Sequence, residues 1–215
     1  MRRYYAGEIE ADFAVHLVGM TVAAIGASAL LALAAKSTNP AVFYSALAYS
    51  VGLVAMLICS AAYRFWRSSV RRDVLRRLDH AAIFTMIAGT YTPFTACILS
   101  GWSAVGLTGL MWLAALAGVF VKLAYPRRYE WASTAVYLSM GWAVIIFMQP
   151  LLARLDRPIL ILLVSGGVLY TIGTCAHRWH WLPFHDAIWH STVLGAAGLH
   201  YVAILYGIVL PAPRS

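Results

Sequence analysis

Charged residues are scarce in this chain. Only 11% of its 215 residues are Asp, Glu, Lys or Arg, whereas 62% are hydrophobic. Soluble domains are nearer to about one quarter charged and one half apolar, so a single water-soluble core could not bury this much apolar surface. The shortage of charge therefore excludes an ordinary soluble domain and indicates hydrocarbon as the solvent for most of the chain.

Cysteine is also rare, and its spacing matches no metal or redox motif. The 3 cysteines, Cys59, Cys97 and Cys175, lie far apart within apolar stretches and form no Cys-x-x-Cys pair. Isolated thiols of this kind usually behave as small apolar side chains. The sequence therefore predicts neither a disulfide framework nor a thiolate-bound metal.

Long apolar runs, in contrast, are abundant. Each is close to the ~20 residues that a helix needs to cross ~30 Å of hydrocarbon. The seven runs cover residues 13–35, 41–62, 81–99, 104–121, 131–153, 158–176 and 187–209. Because backbone polar groups in hydrocarbon must be satisfied internally, each run is predicted to be a helix. The predicted fold is an all-α, seven-helix transmembrane bundle over residues 13–209, between tails of residues 1–12 and 210–215.

Basic residues are distributed unevenly between the two ends of these runs, although the net charge of the chain is +8. One side carries four basic residues, Lys36, Arg154, Arg157 and Arg214. The other side carries twelve: Arg2, Arg3, Arg64, Arg67, Arg71, Arg72, Arg76, Arg77, Lys122, Arg127, Arg128 and Arg178. The positive-inside rule then predicts a cytoplasmic N-terminus and a C-terminus outside. The predicted partners of these cations are anionic membrane lipids rather than nucleic acids.

Ionisable and hydroxyl side chains collect at the predicted cytoplasmic ends of the runs. They are Asp12 and His16 at the first run, Ser60 and Arg64 at the second, Asp79 and His80 at the third, and His185, Asp186 and His190 at the seventh. Several are four residues apart and therefore share a helix face. Ionisable groups at membrane depth are costly and are functional candidates by default. Their convergence at one end of a bundle predicts a metal site or a proton-handling site.

Some polar positions also have a structural interpretation. Arg64 can belong to the run of juxtamembrane arginines, and Asp79 can cap the N-terminus of the third helix. His200 lies ten residues beyond His190, which places it ~15 Å deeper at ~1.5 Å per helical residue. A carbonyl or hydroxyl group of a neighbouring helix would satisfy an imidazole at that depth.

Four motifs in a fixed order carry a family resemblance. The third run contains LDHAAI at residues 78–83 and AGTYTPF at residues 88–94. The second run ends in SAAY at residues 60–63, and the last begins with AIWH at residues 187–190, with His200 ten residues on. With these motifs the chain resembles the hemolysin III family, the bacterial branch of the progestin and adipoQ receptor family. The resemblance extends over almost the whole chain.

The resemblance implies a seven-helix protein with a cytoplasmic N-terminus, and for this chain a bacterial inner membrane. It also implies a zinc site near the cytoplasmic face, held by one histidine in Ser-x-x-x-His on helix two and two in His-x-x-x-His on helix seven. The helix-two serine and a helix-three aspartate lie beside that site, where zinc would acidify a water for hydrolysis. This chain matches the pattern at Ser60, Asp79 and His190. It departs from the pattern at Arg64 and Asp186.

Arg64 and Asp186 replace two ligands that should face one another, and this substitution supports two hypotheses. In the first, an Arg64–Asp186 ion pair occupies the vacated site, since a guanidinium fork suits a carboxylate. In the second, a zinc ion is retained and Arg64 turns to the head groups. The ligands are then His190, Asp186 and either Asp79 or His185. A fixed cation near Zn²⁺ is electrostatically unfavourable, which favours the metal-free pair.

Three classes of function follow. The resemblance implies a cytolytic protein that forms pores or perturbs membranes, or a receptor-like protein that senses lipids. The alternative is a zinc-dependent lipid amidase similar to the ceramidases, with Ser60 and Asp79 as its catalytic residues. The two absent imidazoles disfavour the enzyme, so the chain is predicted to be a hemolysin III-like multi-pass membrane protein whose enzymatic activity the sequence leaves open. The further candidate site residues are His16, His80, His185 and His200.

Overall fold

The computed structural model describes residues 7–66, 69–125, 128–179 and 181–210, without the side chains of Ser69, Val70 and Phe147. The regular secondary structure in these ranges is helical, and no strand occurs within them. The helices are α1 (Glu8–Ala34), α2 (Pro40–Phe65), α3 (Ser69–Cys97), α4 (Gly101–Ala124), α5 (Glu130–Trp142), α6 (Met148–Arg154), α7 (Arg157–Arg178) and α8 (His185–Ile204). A 3₁₀ turn (Ala143–Phe147) joins α5 to α6, and a π turn (Leu205–Val209) follows α8. The all-α prediction is therefore confirmed.

Five of the described helices are long and apolar enough to cross a membrane. They are α1, α2, α4, α7 and α8 with its π turn, and the bent pair of α5 and α6 makes six if it is one span. α3 is absent from this set, although its residues after His80 carry no charge; that half contains several threonines, Tyr91 and Pro93. The predicted number of seven spans therefore stays a prediction. So does the division into tails and core, although α1 already begins at Glu8, and residues 1–6 and 211–215 lie outside the described ranges.

The fifth apolar run is broken in the middle. α5 and α6 are bent by 55° relative to one another, and Pro150 in α6 has no backbone N–H to continue the hydrogen-bond ladder. Tyr91 of α3 hydrogen-bonds to the backbone before and after this break. Its hydroxyl donates to the Met140 carbonyl at 2.7 Å and accepts from the Val144 N–H at 2.8 Å. A side chain inserted into a helix ladder is a recognised cause of a sharp bend.

Helices α2 and α3 pack with their backbones in close contact. A Cβ atom added at Gly89 would lie 2.8 Å from the Ala48 carbonyl oxygen, and one added at Gly52 would lie 3.1 Å from the Met86 Cα. Small residues at such crossings are typical of helix packing in lipid, where close backbone approach replaces the hydrophobic effect as the source of attraction. This contact holds α3 against the middle of α2.

The outer surface of the bundle is apolar. Side chains on its outer helices are exposed by more than half, among them Val22, Ile25, Leu113, Phe120 and Ile161. Soluble proteins rarely expose apolar surface on this scale, so these faces are suited to lipid. Inside the bundle, the fully buried Tyr49 donates a hydrogen bond to the Ala197 carbonyl at 3.1 Å and ties α2 to α8.

The ends of four helices meet on one side of the bundle. α1, α3 and α8 begin there, and α2 ends there. Phe184 precedes α8 with a φ of 56°, and its N–H donates to the Glu8 carboxylate at 2.7 Å. This bond joins the start of α1 to the start of α8, and it brings the side chains of their first turns close together.

Candidate functional site

Arg64 lies at the centre of a charged cluster formed by α1, α2 and α8. Its Nε atom contacts the Asp12 carboxylate, and its Nη2 atom lies 2.8 Å from Asp186 Oδ2. Asp12 is fully buried, whereas the side chains of Arg64 and Asp186 are 15% and 18% exposed. The structure thus brings together the two residues of the hypothetical ion pair and adds Asp12 as a second carboxylate. Two carboxylates on one guanidinium satisfy its fork on both sides.

His190 connects this ion pair to Ser60. Its Nδ1 atom lies 2.5 Å from Asp12 Oδ1, and its Nε2 atom lies 3.4 Å from the Ser60 hydroxyl. A hydrogen bond at one ring nitrogen decides which nitrogen carries the proton. With Nδ1–H donating to Asp12, neutral His190 presents the lone pair of Nε2 to Ser60.

His16 approaches the same hydroxyl from α1. Its Nδ1–H donates to the Asp12 carbonyl at 2.8 Å, and its Nε2 lies 3.2 Å from the Ser60 hydroxyl. Asp79 of α3 lines the cavity wall together with Ser60. A hydroxyl donates only one proton, so Ser60 can serve one of the two imidazoles at a time. The arrangement can pass a proton between Ser60 and its neighbours.

Three of these residues have donor atoms close enough to share a metal ion. Asp12, His16 and His190 each offer one ligand atom, and these atoms lie within 4.8 Å of one another. Only His190 belongs to the ligand set predicted from the sequence. Arg64 contacts the same Asp12 carboxylate, so a divalent cation there would meet a permanent positive charge. Asp12 and His190 are also bonded directly to each other, and the set therefore fits zinc poorly.

A cavity of about 580 Å³ opens beside the cluster. His16, Ser60, Asp79 and His190 line one end of it, and His200 lines it farther along α8. About half of the other lining side chains are aliphatic or aromatic, including Met86, Ile87, Leu138, Trp142 and Val193. Its size is within the range of sites that hold small organic ligands, ~300–1,000 Å³. Further charged residues of the lining are four arginines and two carboxylates: Arg64, Arg72, Arg76, Arg178, Glu130 and Asp186.

His80 belongs to a different ionic cluster, which joins α3 to α4 and α5. Its Nδ1 lies 3.6 Å from Glu130, which also accepts from Arg76 and Lys122 at 3.0 Å each. Tyr137 donates to the His80 carbonyl at 2.9 Å. The Glu130 side chain is 41% exposed. Sequence reasoning did not identify Glu130 or Lys122, because ion pairs between distant residues have no spacing signal.

The two remaining predicted histidines lie apart from Ser60. His185 is buried, with its Nδ1 atom 3.3 Å from Asp186, and its ring stacks on His177. His200 has its Nε2 atom 3.2 Å from the Leu163 carbonyl, which is the kind of partner expected for an imidazole at that depth. Neither contact indicates a ligand-binding role by itself.

Asp12 is the site residue that the sequence signalled most weakly. It contacts Arg64, His16 and His190, but only its spacing of four residues before His16 drew attention to it. The same spacing separates Asp186 from His190. The sequence therefore indicated this part of the site only by two Asp-x-x-x-His pairs, one on the first helix and one on the last.

The described helices and the buried His, Asp and Ser side chains define an integral, multi-pass, α-helical membrane protein with a polar site at one end of its bundle. Residues 11–201 match the family described as "Haemolysin-III related". The chain therefore belongs to the hemolysin III family, as its motifs predicted.

Curated relatives agree with this assignment. The chain is 38% identical over 164 residues to the "Hemolysin-3 homolog" of Bacillus subtilis (strain 168), an alignment that covers 76% of this chain and 77% of that protein. It is 41% identical over 134 residues to "Hemolysin-3" of Bacillus cereus, where the coverage is 62% and 61%. It is 29% identical over 162 residues to the human "Monocyte to macrophage differentiation factor", with coverage of 73% and 67%. No solved structure matches the chain.

Proposed function

We propose that this hemolysin III family member is a lipid-binding, lipid-sensing protein whose cytoplasmic site works without a metal. The observation that carries the proposal is the cavity of about 580 Å³ that extends from the polar cluster into the apolar interior. An acyl lipid has the matching division between a polar head and an apolar chain. Sites for such ligands combine apolar walls with a few convergent polar groups.

The proposed topology has seven spans and a cytoplasmic N-terminus in a bacterial inner membrane. α3 supplies the remaining span, since it packs between α2 and α4 and its residues after His80 carry no charge. The bent pair of α5 and α6 counts as one span. Positive charge at the loops near Arg72, Arg128 and Arg178 supports a cytoplasmic position for this face.

The head group is proposed to lie at the level of Ser60 and His190. The cluster there offers hydrogen-bonding groups. Arg72 and Arg178 on the cavity wall favour a negatively charged head, because the lining carboxylates Asp186 and Glu130 are already paired with Arg64 and Arg76. Arg72 lies over the Tyr63 ring at 5.6 Å, which holds its guanidinium near the cavity. A fatty acid or another anionic single-chain lipid fits this combination of groups.

Arg64 argues against the zinc-dependent amidase. A metal hydrolase needs a firmly held ion with an open coordination position. The Arg64 guanidinium instead bonds both Asp12 and Asp186. Pore formation also has less support, because the charged side chains of the described residues gather at helix ends and form no stripe along the bundle. The haemolytic names belong to the Bacillus relatives.

Lipid binding is tested by measuring bound stearate on the delipidated protein in detergent. We expect one stearate per chain, and we expect Gly141→Leu to remove most of it by filling the cavity. Gly141 lines the cavity and has open space around it. Gly106→Leu is the matched control, since Gly106 also has open space but does not line the cavity. Equal binding by both variants would contradict the proposal.

A further inference from the structure

The Ser60 hydroxyl has more hydrogen-bond acceptors around it than a hydroxyl that only stabilises the fold requires. It lines the cavity, and two imidazole Nε2 atoms face it at 3.2 and 3.4 Å. A hydroxyl needs one acceptor to be satisfied, and a backbone carbonyl one turn earlier commonly serves on a helix. Ser60 instead has a choice of bases beside a cavity.

Asp12 orients one of these bases. Its carboxylate accepts from His190 Nδ1 at 2.5 Å, which leaves His190 Nε2 as the nitrogen that faces Ser60. Arg64 balances the charge of Asp12 on the other carboxylate oxygen, so that the carboxylate can remain ionised although it is fully buried. The Ser60 hydroxyl, the His190 imidazole and the Asp12 carboxylate are thus linked in the order of a nucleophile, its general base and the group that orients the base.

We propose that Ser60 is a nucleophile for acyl transfer, with His190 as its general base and Asp12 as a positioning residue. The substrate class is an ester of a long-chain fatty acid whose chain lies in the cavity. The proposal rests on the lipid-binding function proposed above. It requires no metal and uses water as the only co-reactant.

The step balances with these groups alone. Ser60 Oγ forms a bond to the acyl carbonyl carbon while its proton passes to His190 Nε2. The bond between that carbon and the alcohol oxygen then breaks, and His190 returns the proton to the departing alcohol. Water repeats the sequence on the acylated serine and releases the fatty acid.

His16 has a separate part in this arrangement. Its Nδ1–H is engaged by the Asp12 carbonyl, so its Nε2 also faces Ser60 as an acceptor. Once Ser60 is acylated it donates to neither imidazole, so His16 Nε2 as well as His190 Nε2 can accept a proton from the incoming water. Removing His16 is therefore expected to slow the second half of the reaction more than the first.

The test is covalent labelling of the full-length protein in detergent with a long-chain alkyl fluorophosphonate. Intact mass and peptide mapping should show one adduct per chain, located at Ser60. Ser60→Ala should give no adduct, and His190→Gln should react at least ~100-fold more slowly, the usual contribution of a general base. Ser50→Ala is the matched control on the same helix, and it should react like the wild type. Ser50 is buried and does not line the cavity.

Stearate binding and thermal unfolding are measured on each variant, so that a loss of folding is separated from a loss of reactivity. A wild-type protein that binds stearate but forms no adduct overturns the serine proposal and leaves lipid binding intact. An adduct that persists in Ser60→Ala overturns it as well. So does His190→Gln if this variant is folded and reacts at the wild-type rate. A protein that neither binds stearate nor reacts overturns both proposals.

Discussion

Two ionic clusters at the same end of the bundle have similar components and different surroundings. In the first, Asp12 is fully buried and contacts Arg64 and His190. In the second, Glu130 is 41% exposed and contacts Arg76 and Lys122. Both place a carboxylate among cations and a histidine. The difference is that the carboxylate of Asp12 is buried and that the first cluster gathers α1, α2 and α8 around the Ser60 hydroxyl, although both clusters contribute residues to the cavity wall.

This difference distinguishes a candidate functional site from an ion-pair cluster that only stabilises the packing of helices. Half-exposed ion pairs usually contribute ~0–1 kcal/mol because water competes for both partners. A buried pair leaves an uncompensated charge when one partner is removed, which costs ~3–5 kcal/mol. The Glu130 cluster can be explained by its connection of α3, α4 and α5. The Asp12 cluster has more polar contacts than helix packing alone requires.

The largest expected change is the gain of a metal in the first cluster. The double variant Arg64→His, Asp186→His restores the histidine spacing that the family resemblance implies. We expect elemental analysis to find about one zinc per purified chain in this double variant and almost none in the wild type, since structural zinc binding is worth ~10 kcal/mol or more.

The control for this experiment adds His190→Ala to the double variant and should remove the zinc again. About one zinc per chain in the wild type, lost in His190→Ala alone, would contradict the metal-free site. It would also mean that the contact of Arg64 with Asp12 does not exclude a cation from this cluster.

A smaller but still large effect is expected from Asp12→Asn. The amide keeps the size of the side chain but removes the charge that Arg64 and His190 contact. We expect a loss of ~3–5 kcal/mol in the free energy of unfolding, measured by denaturant titration in detergent. Glu10→Gln is the control because Glu10 lies on the same helix and is exposed. Equal stability of the two variants would show that Asp12 is not a buried charged partner.

The fold was predictable where composition alone decides it. Apolar runs at residues 13–35 and 41–62 predicted helices that correspond to α1 and α2 within a few residues at each end. The run at residues 131–153 gave no indication of the Tyr91 hydroxyl that bonds the break between α5 and α6. Such a contact depends on how α3 packs against α5, and sequence periodicity does not contain that information.

The candidate site was predictable where residues repeat at helical spacing. Ser60 and Arg64, like Asp186 and His190, could be assigned to shared helix faces from the sequence. The partner of His190 could not be predicted from the sequence, because Asp12 is 178 residues away and meets His190 only through the packing of α1 against α8. His80 adjoins Asp79 in sequence, but the sequence did not indicate that its ring lies 3.6 Å from Glu130 on α5.

The smallest effect is expected from Glu130→Gln, and it sharpens the comparison most directly. Its carboxylate contacts Arg76 and Lys122 at 3.0 Å, but its exposure lets water replace those bonds. We expect a loss of about 1 kcal/mol or less in the free energy of unfolding, measured in the same denaturant titration as Asp12→Asn. A loss as large as that of Asp12→Asn would mean that Lys122, whose side chain is only 3% exposed, makes this cluster energetically buried. Since both clusters contribute residues to the cavity wall, the distinction between them would then rest on the contacts of the first cluster with Ser60.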